Sequence, residues 1–337
     1  AEDIDTILST GVEVRLESPV GDGEGCVSMS DLREQYDAVY ISIGAHTDKK
    51  VGLEGEDARG VISAVEMLGV LADGGTIDMK GKKVVVIGGG NVAMDVTRSA
   101  IRLGAEDVTV VYRRRQVDMT ALADEVRSAI AEGAQIRELH APVRIETNEK
   151  DEVTALIAQP KLIGKVGRDG RPAPADSSQP EVRIPCDMVV VAVGQGIETH
   201  YFEDEGIPIK HGVIAAENWS AVENAPGVFA GGDCVTGPAT AIRAIAAGKV
   251  AAANIDNYLG YNHIISTDVE IPAPKIKDYP ACGRINVKER DASERKKDFD
   301  AVECSLTQEE ICQEAGRCLR CDHFGFGILK GGRETKW

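Results

Sequence analysis

The sequence contains no run of about 18 apolar residues, so no segment of it is expected to span a membrane. Its first residues, AEDIDTILSTG, have neither a basic stretch nor an apolar core, and no secretory signal is read there. Aromatics are scarce at 4%, whereas glycine is plentiful at 36 of 337 residues; that balance suits an α/β nucleotide-binding protein better than an all-β sandwich. Basic residues are outnumbered, 38 against 55 acidic ones, for a formal net charge of −17. A surface so acidic repels nucleic acid and anionic lipid, so neither is expected as a partner. It serves plain solubility, or the docking of a basic electron-transfer partner. The six histidines follow no metal or acid–base spacing, no catalytic triad is visible, and nothing repeats at a fixed period.

Eight cysteines are present. Cys26, Cys186 and Cys234 stand alone in or beside apolar runs, as reduced, partly buried thiols do. Cys282, Cys304, Cys312, Cys318 and Cys321 crowd into the last sixth of the chain. The expected compartment is the cytoplasm, where such crowding suggests metal more than disulfides.

The apolar pattern is that of alternating strands and helices. YDAVYISIGA (residues 36–45) reads as a buried parallel strand, followed by the glycine-rich link VGLEGEDARGV and a helix over 63–72. From Lys82 the pattern becomes βαβ: the strand KKVVVIGGG, a helix from Asn91 to Leu103, the strand DVTVVYRRR, a helix over 122–130 and a strand over 134–139. The polar insert GRDGRPAPADSSQPE is read as a loop, and CDMVVVAVG as another buried strand. VFAGGDCVTGPATAIRAIAAGKVAAANIDNYL gives a short strand, a glycine turn and a long alanine-rich helix. Beyond Gly260 the chain is polar and proline-interrupted, with a short helix from Thr307 to Cys318.

Gly88-Gly-Gly90-Asn-Val-Ala93 is the G-x-G-x-x-A form of the dinucleotide fingerprint, set between an apolar strand and an amphipathic helix. Gly88 makes the tight turn, Gly90 lets a pyrophosphate reach the backbone, and Ala93 lets helix and strand pack closely. The phosphates then meet the free amides and positive dipole end of the helix. The second strand ends in Tyr112-Arg113-Arg114-Arg115, where NAD-binding units carry Asp or Glu. Guanidinium groups there grip a 2′-phosphate, so NADP(H) is expected over NAD(H). In AGGDCVTGPATAIRAIAAG, Asp233 can accept from a ribityl chain or reach phosphates, and the helix starting at Ala239–Ala241 aims its amides at a flavin.

YDAVYISIGA, VVVIGGGNVAMDVTRSA, VTVVYRRR and GVFAGGDCVTGPATAIRAIAAGKVAAANI together resemble the small (beta) subunit of glutamate synthase and its relatives, among them domains of dihydropyrimidine dehydrogenase and of ferredoxin–NADP oxidoreductase large subunits. The resemblance covers about residues 36 to 255. It implies an α/β, Rossmann-like flavoprotein with two dinucleotide-binding domains: a partial FAD domain (1–60 and 196–260), an inserted NADP(H) domain (61–195) and a cysteine-containing tail (261–337). It also implies NADPH contacts from Gly88, Gly90, Asn91, Val92, Ala93, Arg113 and Arg114. Gly232, Asp233, Thr240 and Ala241 would lie along FAD, and Gly44 and Gly194, which end buried strands, are counted with the cofactor residues. Proteins of this family open their FAD domain with a glycine turn of its own, and no such motif precedes Tyr36. A preceding segment or a redox partner subunit is therefore expected to supply it.

The tail, ERKKDFDAVECSLTQEEICQEAGRCLRCDHF, looks like the segment that borders iron–sulfur clusters in this family. Cys318 and Cys321 have C-x-x-C spacing, and Cys304 and Cys312 would complete four ligands. A [4Fe–4S] cluster, zinc, free thiols and ligands shared with another chain all stay open. The expected activity is electron passage between NADP(H), FAD and iron–sulfur partners in either direction. The other reading is an NADP(H)-binding interaction or sensor module without redox turnover of its own.

Overall fold

The computed structural model describes residues 2–167, 170–217, 220–264 and 283–317. These divide into two compact units, one formed by residues up to 46 and from 196 to 264, the other by residues 47–195 together with 283–317.

The larger unit is built on a five-stranded parallel sheet. The spatial order of its strands is Val61–Ser63, Met188–Val191, Lys83–Ile87, Asp107–Tyr112 and Gln135–Glu138. Lys83–Ile87 lies between two neighbours, with Val86 opposite both Val190 and Val110. It is buried on both faces, which is why its sequence is continuously apolar instead of alternating. Val84, Val86 and Val190 pack with Met94, Val96 and Ala100 of the helix Asn91–Arg102 and with Val126 and Ala129 of the helix Ala123–Glu132. Val85, Ile87, Val189 and Val191 face the other way, onto Ile145, Leu156, Ile184 and Cys186.

Those last residues belong to an antiparallel layer of His140–Thr147, Val153–Val166 and Val182–Pro185, joined by Pro172–Asp176. The insert read from sequence as a loop is therefore partly a strand. Pro172–Asp176 pairs antiparallel with the outer half of Val153–Val166, Ile163 opposite Pro174 and Val166 opposite Pro172. It is an edge strand, a sheet position where prolines need cost no ladder bond.

The unit begins at residue 47, earlier than the boundary near 60 drawn from sequence, because the glycine-rich link is fixed to this body. The Glu56 carboxylate accepts from the amides of Val51, Gly52 and Leu53 at 2.7, 2.6 and 2.9 Å. Arg59 donates from its amide to the Asp151 carbonyl at 2.8 Å. The tail also packs onto this unit. Arg290 N bonds Val302 O and Cys304 N bonds Lys288 O, at 2.8 and 2.7 Å, closing a strap around the short helix Ala292–Arg295.

Arg295 is buried and donates through Nε to the Glu132 carboxylate at 2.8 Å. The same carboxylate, 0% exposed, also takes Arg98 Nη2 at 2.9 Å and Arg102 Nη1 at 2.7 Å. Arg98 pairs in addition with Glu125 at 2.6 Å, and Arg295 with Glu289. Arg102 Nε reaches the Asp298 carbonyl at 2.8 Å. Nothing in the linear pattern announces this network, because its bonded members lie up to 196 positions apart.

In the smaller unit Val39–Ile41 and Val228–Ala230 form a two-stranded parallel pair. The helix Ala241–Tyr258 follows, with the exposed Ile242 and Ile245 in its first turn and a half. Among the described residues no helix is long and apolar enough to cross a membrane.

Candidate functional site

The strand Lys83–Ile87 delivers the chain into the glycine turn with the geometry the fingerprint requires. Gly88 has φ +147°, a value L-residues rarely adopt, and a Cβ on it would sit on the carbonyl oxygen of Ala192. A Cβ on Gly89 would come within 2.5 Å of the Tyr112 ring. The turn is thus cut to fit bare backbone between two neighbouring strand ends. Gly90 caps the helix Asn91–Arg102 and has no side chain with which to close it. Met94 N donates to the Gly90 carbonyl at 3.2 Å, so helix geometry leaves the amides of Asn91, Val92 and Ala93 aimed outward. Ala93 is fully buried, as the close helix–strand approach demands. Backbone amides, a dipole end and room made by three glycines fit a pyrophosphate.

Gly88→Ala should therefore abolish high-affinity dinucleotide binding while lowering stability by at least the ~1–2 kcal/mol of a left-handed L-residue. Unchanged binding in a fluorescence titration would refute the placement of the phosphates here.

The Asn91 side chain ties the turn to the segment after the second strand. Its Oδ1 accepts from Leu122 N at 2.8 Å, and the amides of Thr120 and Ala121 donate to the Gly89 carbonyl at 3.0 and 3.1 Å. The segment after the second strand is thereby clasped to the turn. Sequence reading missed Thr120–Leu122, since three residues of no special type act through their amides.

The three arginines after Tyr112 are not equivalent. Arg113 is exposed and makes no hydrogen bond or ion pair among the described residues. Arg114 is half-buried, its Nε donating to the Pro172 carbonyl at 3.0 Å. Arg115 is held by Asp118 through Nε and Nη2 at 2.7 and 2.8 Å. The hydrogen bonds to Arg115 keep the Asp118 carboxyl below its usual range, so this pair stays closed at neutral pH. Arg113 and Arg114 are left to meet an anion. Gly194, at φ +122°, ends the strand Met188–Val191 in the same unit.

In the smaller unit, Gly231 has no room for a Cβ, which would meet the Tyr40 hydroxyl and lie 3.1 Å from Ala247. Gly232 is left-handed at φ +77°, as is Gly44 at +69°. Asp233 Oδ1 accepts from Ala239 N at 3.2 Å, and Thr240 caps the helix Ala241–Tyr258 without a side-chain bond. A glycine cradle ahead of a helix start with open amides fits one end of a flavin cofactor; the described residues include no second glycine turn for the other end.

Cys304 and Cys312 are exposed, and no group of three or more metal-ligating side chains exists among the described residues. Cys318 and Cys321 lie outside the described residues. Cys234 is buried against the carbonyls of Gly231 and Ile41. Burial pushes the Cys186 thiol up to about 12. At pH 8 a thiol alkylating agent should modify Cys304 and Cys312 and leave Cys186 intact in the folded protein; mass spectrometry showing early labelling of Cys186 would contradict that packing.

Residues 4–248 match the family model described as pyridine nucleotide-disulphide oxidoreductase. The chain is 36% identical to the "NADP(+)-dependent formate dehydrogenase subunit beta" of Moorella thermoacetica over 99% of its own length and 49% of that protein's. It is 34% identical to the "Glutamate synthase [NADPH] small chain" of Escherichia coli, covering 74% of this chain and 55% of that one. It spans about half the length of these curated relatives. Among solved structures, Mycobacterium tuberculosis FprA in complex with NADPH superposes with a TM-score of 0.58 at 22% identity, over 69% of this chain and 66% of that one. T. acidophilum thioredoxin reductase shares the fold, with a TM-score of 0.52 at 21% identity over 65% of each chain. These likenesses show a Rossmann-type fold with two dinucleotide-binding units. The chain belongs to the pyridine nucleotide-disulphide oxidoreductase family, among its glutamate synthase small subunit-like members.

Proposed function

We propose that this chain is the NADP(H)- and FAD-binding module of an electron-transfer enzyme, exchanging electrons between the nicotinamide and an iron–sulfur partner. The observation that carries this reading is the glycine turn Gly88–Gly90, which has no room for side chains at Gly88 and Gly89, opens onto the first amides of a helix and adjoins the unengaged Arg113. Relatives named for NADPH or NADP(+), including the "NADPH-Fe(3+) oxidoreductase subunit beta" of Geobacter sulfurreducens, 30% identical over 95% of this chain and 53% of its own length, support it.

Bound FAD would take a hydride from the nicotinamide and release electrons one at a time. The chain's own residues bind and orient. The amides of Asn91, Val92 and Ala93 fix the pyrophosphate, and Arg113 and Arg114 the 2′-phosphate. Gly44, Gly232, Asp233, Thr240 and Ala241 serve one end of FAD, and Gly194 is counted with the cofactor residues. Such a transfer needs alignment and little proton chemistry, which agrees with the lack of an acid–base constellation in the sequence. A segment of a redox partner would bind the adenosine end of FAD. Cys304, Cys312, Cys318 and Cys321 are the candidate cluster ligands.

Anaerobic addition of NADPH to the protein reconstituted with FAD, with and without the partner segment, tests the proposal. Bleaching of the flavin absorbance is expected. Tight NADPH binding with the flavin bound but never reduced would instead establish a sensor module. Iron content provides a separate check: Cys318→Ser/Cys321→Ser should remove it, and iron retained by the double variant would exclude those thiols as ligands.

A further inference from the structure

The hairpin made by Val153–Val166 and Pro172–Asp176 is longer than its packing requires. Its inner part is buried up to Pro160, while Leu162 and Ile163 are each 54% exposed. The outer part borders a shallow recess lined by Arg113, Arg114, Leu162, Ile163, Pro172 and Pro174. It holds Arg114 at two points. The Arg114 carbonyl accepts from Leu139 N at 3.0 Å, and the Leu139 carbonyl in turn accepts from Lys161 N at 2.7 Å. Leu139 is itself left-handed, at φ +56°, so that both its polar groups serve as staples between the arginine turn and the hairpin. The second point is the Pro172 carbonyl on Arg114 Nε.

That second bond decides which edge of the guanidinium faces outward. With Nε engaged by a carbonyl, Nη1 and Nη2 remain as a fixed pair of donors, the edge that grips a phosphate bidentately. A free arginine would have to lose its rotamer freedom on binding; this one has lost part of it on folding. The apolar lining beside it suits the face of a purine. We propose that the hairpin is the element that sets selectivity for the 2′-phosphorylated dinucleotide: Pro172 is a positioning residue that aims Arg114, and Leu162 and Ile163 shelter the adenine. The inference rests on the reading of the arginine turn as the 2′-phosphate end.

Gly164 gives a way to test it without touching an arginine. A Cβ there would lie 2.6 Å from the Ala173 carbonyl oxygen, so Gly164→Ala must displace the strand that carries Pro172. NADPH and NADH are titrated by nicotinamide fluorescence against the wild type, Gly164→Ala, and Arg113→Ala/Arg114→Ala. The ratio of Kd for NADH to Kd for NADPH should fall about tenfold in Gly164→Ala, the share of one misaimed charge-assisted contact. In an Arg114→Ala background the same glycine substitution should leave the ratio where it is. Should Gly164→Ala fail to fold by circular dichroism, replacing residues 164–174 by an Asn-Gly turn removes the hairpin tip and is expected to give the same fall. A ratio that drops only in the double arginine variant overturns the role of the hairpin and leaves the 2′-phosphate reading standing. A ratio that moves in none of them overturns both.

Discussion

Glu132→Ala should cost about 3–5 kcal/mol of unfolding free energy, the loss expected when one partner of a buried ion cluster is removed. Arg98, Arg102 and Arg295 all point at this carboxylate, and its removal leaves three guanidinium groups without the acceptor they share, Glu125 and Glu289 pairing only with Arg98 and Arg295. The substitution should also release the strap, since Arg295 is the tail's buried contact with the helix Ala123–Glu132. Guanidinium denaturation with proteolysis of the tail measures both. A loss below about 1 kcal/mol, the range of a surface pair, would show that the cluster is solvated.

The pH dependence follows from the same geometry. Burial opposes ionisation of Glu132, yet the hydrogen bonds from Arg98 and Arg102 outweigh it and hold the carboxyl below its ordinary 4.5. A group with a depressed folded value stabilises fully above its unfolded value and loses that contribution as pH falls toward the folded one. Wild-type stability should thus decline below about pH 5 more steeply than that of Glu132→Gln, which has no proton to gain.

Sequence reading was strongest where local chemistry and global fold agree. KKVVVIGGG could only be a buried strand running into a backbone-only turn, and the structure buries Val84 to Ile87 and leaves no room for Cβ atoms at Gly88 and Gly89. It was weakest where function depends on partners distant in sequence. Pro172 and Pro174 argue against a strand in isolation, and only the outer half of Val153–Val166 makes them one edge. Glu132 gives no signal in the linear sequence, because its partner Arg295 comes from a segment 163 residues away. Nor does a run of three arginines reveal that Arg115 is neutralised by Asp118 while Arg114 is aimed by a carbonyl: charge is written in the sequence, and its direction is not.

That distinction sets the scale of the remaining expectation. Arg113→Ala/Arg114→Ala should weaken NADPH binding by roughly 1.5–3 kcal/mol for each charge-assisted bond lost and spare NADH, which has no 2′-phosphate to hold. Arg115→Ala should do much less to NADPH, because its guanidinium is already spent on Asp118; its cost falls on the turn around Tyr112, whose hydroxyl bonds the Asp118 carbonyl at 3.0 Å. The electrostatic share of the loss should shrink in high salt, most for the exposed Arg113 and least for the half-buried Arg114. Equal losses for NADPH and NADH would remove the 2′-phosphate from this turn. A loss confined to Arg115 would mean that Asp118 gives way on binding, so that the closed pair is a latch and the unengaged arginine beside it only a solvated strand end.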